Sequence, residues 1–158
     1  MKLFKYGLFI AMGMLLSCRF NPSNENKIKK GYNAELATKL KADQYGMSKY
    51  VMAFLKRGPV RNQDSITAAN LQKAHLENIE RLAEEGKLVL AGPFFDDGEI
   101  RGIYIFDVET IEEAQTLTQT DPAIKAGRLV MELHPWYGSA ALKQINELHK
   151  TLQKQKCK

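Results

Sequence analysis

The 158-residue chain carries 23 lysines and arginines against 18 aspartates and glutamates, a formal net charge of +5, with 44% hydrophobic residues and two cysteines. That length holds one domain with a real core and not two. The basic residues form no stripe interleaved with aromatics, which argues against a nucleic-acid module, and Cys18 and Cys157 are too few for a disulfide framework.

The chain opens with Lys2 and Lys5 ahead of an apolar run from Tyr6 to Leu16. That run is short of the ~20 residues a spanning helix needs. Leu15-Leu16-Ser17-Cys18 follows, the pattern of a bacterial lipoprotein signal with Cys18 as the residue to be acylated. Residues 1–17 are therefore expected to be removed, which lowers the net charge to +3. Cys157 is then left without an internal partner. Polar residues from Arg19 to Lys30 read as a tether, and Leu36, Ala37 and Leu40 suggest a short helix over 34–41 ended by Gly46. Residues 18–46 thus form the acylated cysteine, tether and a pre-domain helix.

The folded unit is expected over residues 47–137. Lys49 to Arg57 alternates Tyr50, Met52 and Phe54 with Val51, Ala53 and Leu55, a strand apolar on both faces. Arg57 to Thr67 is a polar loop. Thr67 is placed to cap a helix over 68–85, with Gly86 as its left-handed stop. At ~100° per residue, Leu71, His75, Ile79 and Leu82 share one face of that helix, so a histidine sits in the apolar stripe. Leu88 to Gly92 is a second strand. Asp97-Gly98 turns it into a third, Gly102 to Val108. Thr110 caps a helix over 111–118, and Asp121-Pro122 opens a turn closed by Ala126-Gly127. Arg128 to His134 is the fourth strand, stopped by Pro135, and residues 138–158 hold a terminal helix over 140–153 and a basic tail.

This order, strand-helix-strand-strand-helix-strand, predicts a ferredoxin-like βαββαβ antiparallel sheet of the α+β class, with both helices on one face and a C-terminal helix added. The inner strands are apolar on the other face as well, which a second copy of the sheet would cover, so a homodimer is expected.

The run from His75 to Glu85-Gly86, then Ala91-Gly92-Pro93, then Asp121-Pro122 with Ala126-Gly127, resembles the YCII-related family of dimeric α+β barrel proteins. The resemblance covers about Ser48 to Trp136. It implies a homodimer, a pocket between helix and sheet, and a catalytic histidine–aspartate pair, which His75 and Asp121 match. The lipid signal, the tether, the Arg57–Thr67 loop and the terminal helix depart from the family pattern, as does His134, where relatives often carry Lys or Arg.

The chemistry suits such a pair. An imidazole titrates near physiological pH, and a carboxylate fixes its tautomer, so the two can move a proton in isomerisation, elimination or hydrolysis. No serine or cysteine adjoins either residue in sequence, so an acyl-enzyme has no support. The bland alternatives are a satisfied core histidine and an Asp-Pro turn. The pocket is expected to be bounded by Gly92 and Pro93, where glycine leaves space. Glu132 and His134 share a strand face with Arg128 and line a wet cavity or the dimer seam, and Arg57 and Arg61 bind an anionic ligand or are merely solvated. Trp136 and Tyr137 wall the pocket or pack under the terminal helix. His75, Glu132 and His134 lack a tight ligand motif, so no metal and no cofactor is expected. Two readings stay open: a small-molecule enzyme using His75 and Asp121, and a non-catalytic ligand- or partner-binding barrel. In both, Cys18 anchors the domain to a bacterial envelope membrane, facing the periplasm or exterior.

Overall fold

The computed structural model describes residues 31–154. The signal segment, Cys18, the Arg19–Lys30 tether and Cys157 lie outside these residues. Among those described, no helix is long and apolar enough to cross a membrane.

The elements in order are α1 (Ala34–Lys39), β1 (Met47–Arg57), α2 (Ser65–Glu84), β2 (Leu88–Pro93), β3 (Ile100–Phe106), α3 (Ile111–Thr118), α4 (Pro122–Lys125), β4 (Leu129–Ser139), a 3₁₀ turn (Ala140–Gln144) and α5 (Ile145–Leu152). The four strands form one sheet in the order β2-β3-β1-β4, every neighbouring pair antiparallel. This is the ferredoxin-like arrangement that the element order predicts.

Register decides which side chains meet the helices. Val51 pairs with Phe106, Ala53 with both Tyr104 and Leu133, and Leu55 with both Gly102 and Met131. Those residues face Leu82 of α2 and Ala114 of α3, forming the main core with Leu88 and Val108. Leu82, Leu88 and Phe106 are fully buried, each stabilising by ~1.5–3 kcal/mol. The other face carries Tyr50, Met52, Val89, Leu90, Ile105 and Trp136.

That second face is less bare than the sequence suggests. The 3₁₀ turn after β4 folds back across it, packing Leu142 against the cluster of Tyr50, Val89 and Ile105. Phe54 and Ile103 stay half-buried there, and Val130 is exposed. The Asn146 amide donates to the Leu88 carbonyl at 2.8 Å, so α5 also caps the outer edge of β2. Of the expected terminal helix, the part up to Asn146 does this packing; Leu148 and Leu152 remain exposed.

Several boundaries differ from expectation for local reasons. Asp64 caps α2 in place of Thr67, accepting from the Thr67 amide at 2.8 Å and its hydroxyl at 2.7 Å. The far end is as expected: Gly86 adopts φ +69°, Lys87 N–H donates to Leu82 O and Gly86 N–H to Ala83 O, the paired bonds of a Schellman stop. Helix α1 ends at Leu40, with Lys41 itself left-handed; Gly46 instead sits just before β1. Asp97-Gly98 belongs to the longer connection 94–99, not to a two-residue turn. Asp121-Pro122 starts the one-turn helix α4, with Pro122 at its first position. Pro135 does not stop β4 but pairs with Val51 within it. β4 is an edge strand of the described sheet, the setting in which a strand tolerates proline.

Candidate active site

His75 is brought to Asp121 by two local decisions of the sequence. The α2 periodicity turns His75, Asn78 and Leu82 inward together. Asp121 ends the turn after α3 and caps α4, its Oδ1 accepting from Ala123 N–H at 2.8 Å. The two segments are tied by Arg81, which donates to Asn78 Oδ1 at 2.8 Å and Thr120 Oγ1 at 2.9 Å. Asn78 is a buried polar residue that periodicity alone did not single out.

The remaining Asp121 oxygen, Oδ2, lies 2.6 Å from His75 Nδ1. The aspartate is fully buried and the histidine nearly so. An ionised carboxylate only accepts, so Nδ1 carries the hydrogen, and in the neutral ring Nε2 then presents a lone pair. On that side stands Tyr104, its hydroxyl 3.4 Å from Nε2 and its ring stacked on the imidazole at 6.2 Å. Burial, and then the charge of Asp121, push the Tyr104 phenol well above its ordinary range. It stays protonated and is a donor toward Nε2. The result is a line of three groups, carboxylate, imidazole and phenol. Tyr104 escapes sequence reasoning because its face depends on register: one residue of slip would turn it away from α2.

A cleft of about 1140 Å³ runs along β2 between α2 and α5. His75 and Tyr104 line it, with Leu55, Gly102, Pro93 and Arg57; Asp121 does not, lying behind the imidazole. Gly92 borders the cleft, and a side chain there would meet nothing within 4 Å. Yet Gly92 pairs with Ile103, so its missing side chain faces the side of the sheet away from His75. The small residue below His75 is Ala91, which pairs with Tyr104 and remains exposed.

Glu132 and His134 are not in this cleft. They alternate with Leu129, Met131 and Leu133, which pack toward the helices, and so stand on the opposite face of the sheet. There Glu132 accepts from His134 Nε2 at 2.8 Å and pairs with Lys56, both of which hold its carboxyl below the usual range, Lys56 the more strongly. His75, Glu132 and His134 cannot share a metal across the sheet, and no cluster of three or more ligand-type side chains occurs among the described residues. Arg128, expected with Glu132 and His134, instead lines the cleft, where it donates to Gln63 Oε1 at 2.8 Å. Trp136 packs on Tyr50 with ring centroids 5.8 Å apart, and the Tyr137 hydroxyl binds Asp43, so neither walls the cleft.

Fold and site together define a ferredoxin-like α+β domain with a buried histidine–aspartate pair beside an open cleft. Residues 51–137 match the YCII-related domain, and the chain belongs to that family. It is 31% identical over 62 residues to "Uncharacterized protein YjpA" of Bacillus subtilis (strain 168), an alignment covering 39% of this chain and 71% of that protein. Among solved structures it is similar to the 5-chloro-2-hydroxyhydroquinone dehydrochlorinase TftG from Burkholderia phenoliruptrix AC1100, in complex with 2,5-dihydroxybenzoquinone. That likeness is at 20% identity and a TM-score of 0.41, covering 54% of this chain and 92% of the other.

Proposed function

We propose that this chain is a small-molecule enzyme of isomerase, lyase or hydrolase type, in which His75 exchanges a proton with a molecule bound in the cleft. The observation that carries the reading is the 2.6 Å contact of Nδ1 with a carboxylate that takes no part in lining the cleft. It fixes the tautomer and leaves Nε2 as the proton-accepting atom. Tyr104, kept neutral, supplies a hydroxyl that can hydrogen-bond to a substrate oxygen as that oxygen gains charge.

A second reading has one observation in its favour. The His75 ring is nearly enclosed, and the Tyr104 hydroxyl already approaches Nε2. On that view the barrel binds a ligand without changing it. The variant His75→Asn separates the two, because it retains a polar group while removing the titrating one. Turnover of a small-molecule panel is expected to fall by ~10²–10⁴-fold while ligand binding persists. Unchanged turnover in a folded His75→Asn protein would remove His75 from the chemistry, and no turnover by the parent chain would leave the binding reading.

We also propose that the domain is a homodimer held at a bacterial envelope membrane by acylated Cys18. Phe54, Ile103 and Val130 on the outer sheet face support the first part, and the Leu15-Leu16-Ser17-Cys18 pattern the second. Sedimentation at twice the monomer mass and a lipid-bearing Cys18 in mass spectrometry are the expected results.

A further inference from the structure

Four arginines gather at one end of the cleft. Arg57 closes β1, Arg61 follows on the loop, Arg101 sits in β3 and Arg128 precedes β4; all four line the cavity. The sheet register locates this end. Leu55 pairs with Gly102, and Gly102 with Pro93, two residues along the strands from Tyr104 and Ala91. The arginines therefore flank the His75 end of the cleft, not the α5 end.

Like charges repel, and this group is built in spite of that. Partial desolvation, then the charges of Arg128, Arg57 and Arg101, lower Arg61 from the ordinary guanidinium value. Among the described residues the only carboxylate paired with any of the four is Asp97, a fully exposed side chain 3.9 Å from Arg101. The other acids of the cleft lie further along α2: Glu80 is more than one turn beyond His75, and Glu84, more than two turns beyond, faces Lys150.

Three of the four arginines are also braced. Arg61 Nη1 donates to the Arg128 carbonyl at 3.2 Å, Arg128 Nη1 to Gln63 Oε1 at 2.8 Å, and Arg101 Nη1 to the Asp96 carbonyl at 3.0 Å. Each guanidinium has five N–H donors in a planar fork, so one anchored nitrogen leaves others to aim at a ligand. Their loop is fixed as well. Gly58 N–H donates to Arg128 O at 2.8 Å and Val60 N–H to Gly127 O at 3.0 Å.

We propose that the cleft takes an oxyanion-bearing small molecule, a carboxylate or phosphate, whose anionic group is held by Arg57, Arg61, Arg101 and Arg128 with its apolar body over Ala91 and Leu55, beside His75. This rests on the reading of the cleft as a small-molecule site and names its substrate class. A bound anion removes the repulsion among the four charges, and two oxygens of a carboxylate or phosphate match the guanidinium fork.

The test is a titration of the purified full-length chain with benzoate and with benzamide, which differ chiefly in charge, followed through NMR signals of the arginine Nε–H groups and the His75 ring. Benzoate is expected to bind about tenfold or more tightly than benzamide, and less tightly as salt rises. The Arg57→Gln/Arg61→Gln double variant is expected to erase that preference, and His75→Asn to keep it. Displacement of benzoate by inorganic phosphate would widen the class to oxyanions in general; failure to displace it would narrow the class to carboxylates. Equal binding of the two probes, or a benzoate preference that survives the double variant, overturns the proposal and leaves the acid–base reading intact. No saturable binding of either probe overturns it too. A benzoate preference in a protein whose His75→Asn form turns over its substrates normally would sink the acid–base reading alone.

Discussion

His75 and Asp121 meet at 2.6 Å across 46 residues of chain, with the aspartate side chain wholly out of solvent. A contact of this kind is weak evidence for net stability but strong evidence of interdependence. Removing one partner of a buried charged pair strands the other and costs ~3–5 kcal/mol. His75→Leu is therefore expected to destabilise by about that much, despite adding an apolar residue to an apolar stripe. Combining it with Asp121→Asn should restore part of the loss, since no charge is then left behind. Denaturant unfolding of the two single variants and the double variant checks this; a His75→Leu protein more stable than the parent would show that the carboxylate is satisfied without the imidazole.

Asp121→Asn alone separates folding from chemistry. Asparagine caps helices as well as aspartate, so the bond to Ala123 N–H survives. Its amide no longer dictates which ring nitrogen holds the hydrogen. Nitrogen NMR of the His75 ring should show the Nδ1–H form in the parent and a mixture in the variant. Turnover should drop by ~10²–10⁴-fold with a smaller loss of melting temperature than His75→Leu.

Alkali should unfold the domain through its buried phenols. Burial first, and then the charge of Asp107, push Tyr50 up to about 12. Its hydroxyl donates to the Ser139 carbonyl at 3.0 Å. A group whose folded value is raised contributes stability that is complete below its unfolded value of ~10. That contribution is then lost as pH rises through the folded value. The melting temperature should accordingly decline from about pH 10 to about pH 12, and Tyr50→Phe should flatten the decline. Tyr104, raised in the same direction, keeps the remaining slope steep at higher pH.

Ala91 offers a way to close the cleft without touching the chemistry. It pairs with Tyr104, faces the α2 side and is exposed. Ala91→Phe should keep the fold, because the added ring enters open space, and should abolish ligand binding. An unaltered ligand affinity by calorimetry would place the binding site elsewhere.

Some of this was legible in the residues and some was not. The stripe Leu71-His75-Ile79-Leu82 exposed the histidine because helical periodicity is a local property, and Asp121-Pro122 announced its turn for the same reason. The partner beyond the histidine, Tyr104, was not readable, because pairing with Ala53 and Ala91 settles its face and pairing is non-local. The same gap left Glu132 and His134 between a wet cavity and the dimer seam, and they do not enter the cleft. Alternation showed that they share a face but could not say which face met the helices. Asp64 and Thr67 are both good caps three residues apart, and in the fold Thr67 gives its own amide and hydroxyl hydrogens to Asp64. Pro135 reads as a stop until the strand order shows that it lies on an edge.

Gly58→Ala is expected to be among the most damaging single-methyl changes in the loop. A Cβ at that position would lie 2.1 Å from the Gly127 carbonyl oxygen and 2.6 Å from the Arg128 carbonyl carbon, both backbone atoms that cannot swing aside. The loss should exceed ~2 kcal/mol. Ala at Gly92, where nothing lies within 4 Å, serves as the control and should be nearly neutral.

The closeness of Gly58 and Gly127 has an evolutionary side. Gly127 ends the short stretch that begins at Asp121, and Gly58 begins the stretch that carries Arg61, so the loop that grips and the loop that aligns the proton acceptor lean on one shared strut. A lineage that inserted or deleted residues in either loop would disturb both tasks at once. Ala91 and Pro93 of strand β2, by contrast, are exposed on the cleft side. New substrate preferences in relatives should therefore arise by exchange of side chains at Ala91 and Pro93, with the lengths of the two loops held constant.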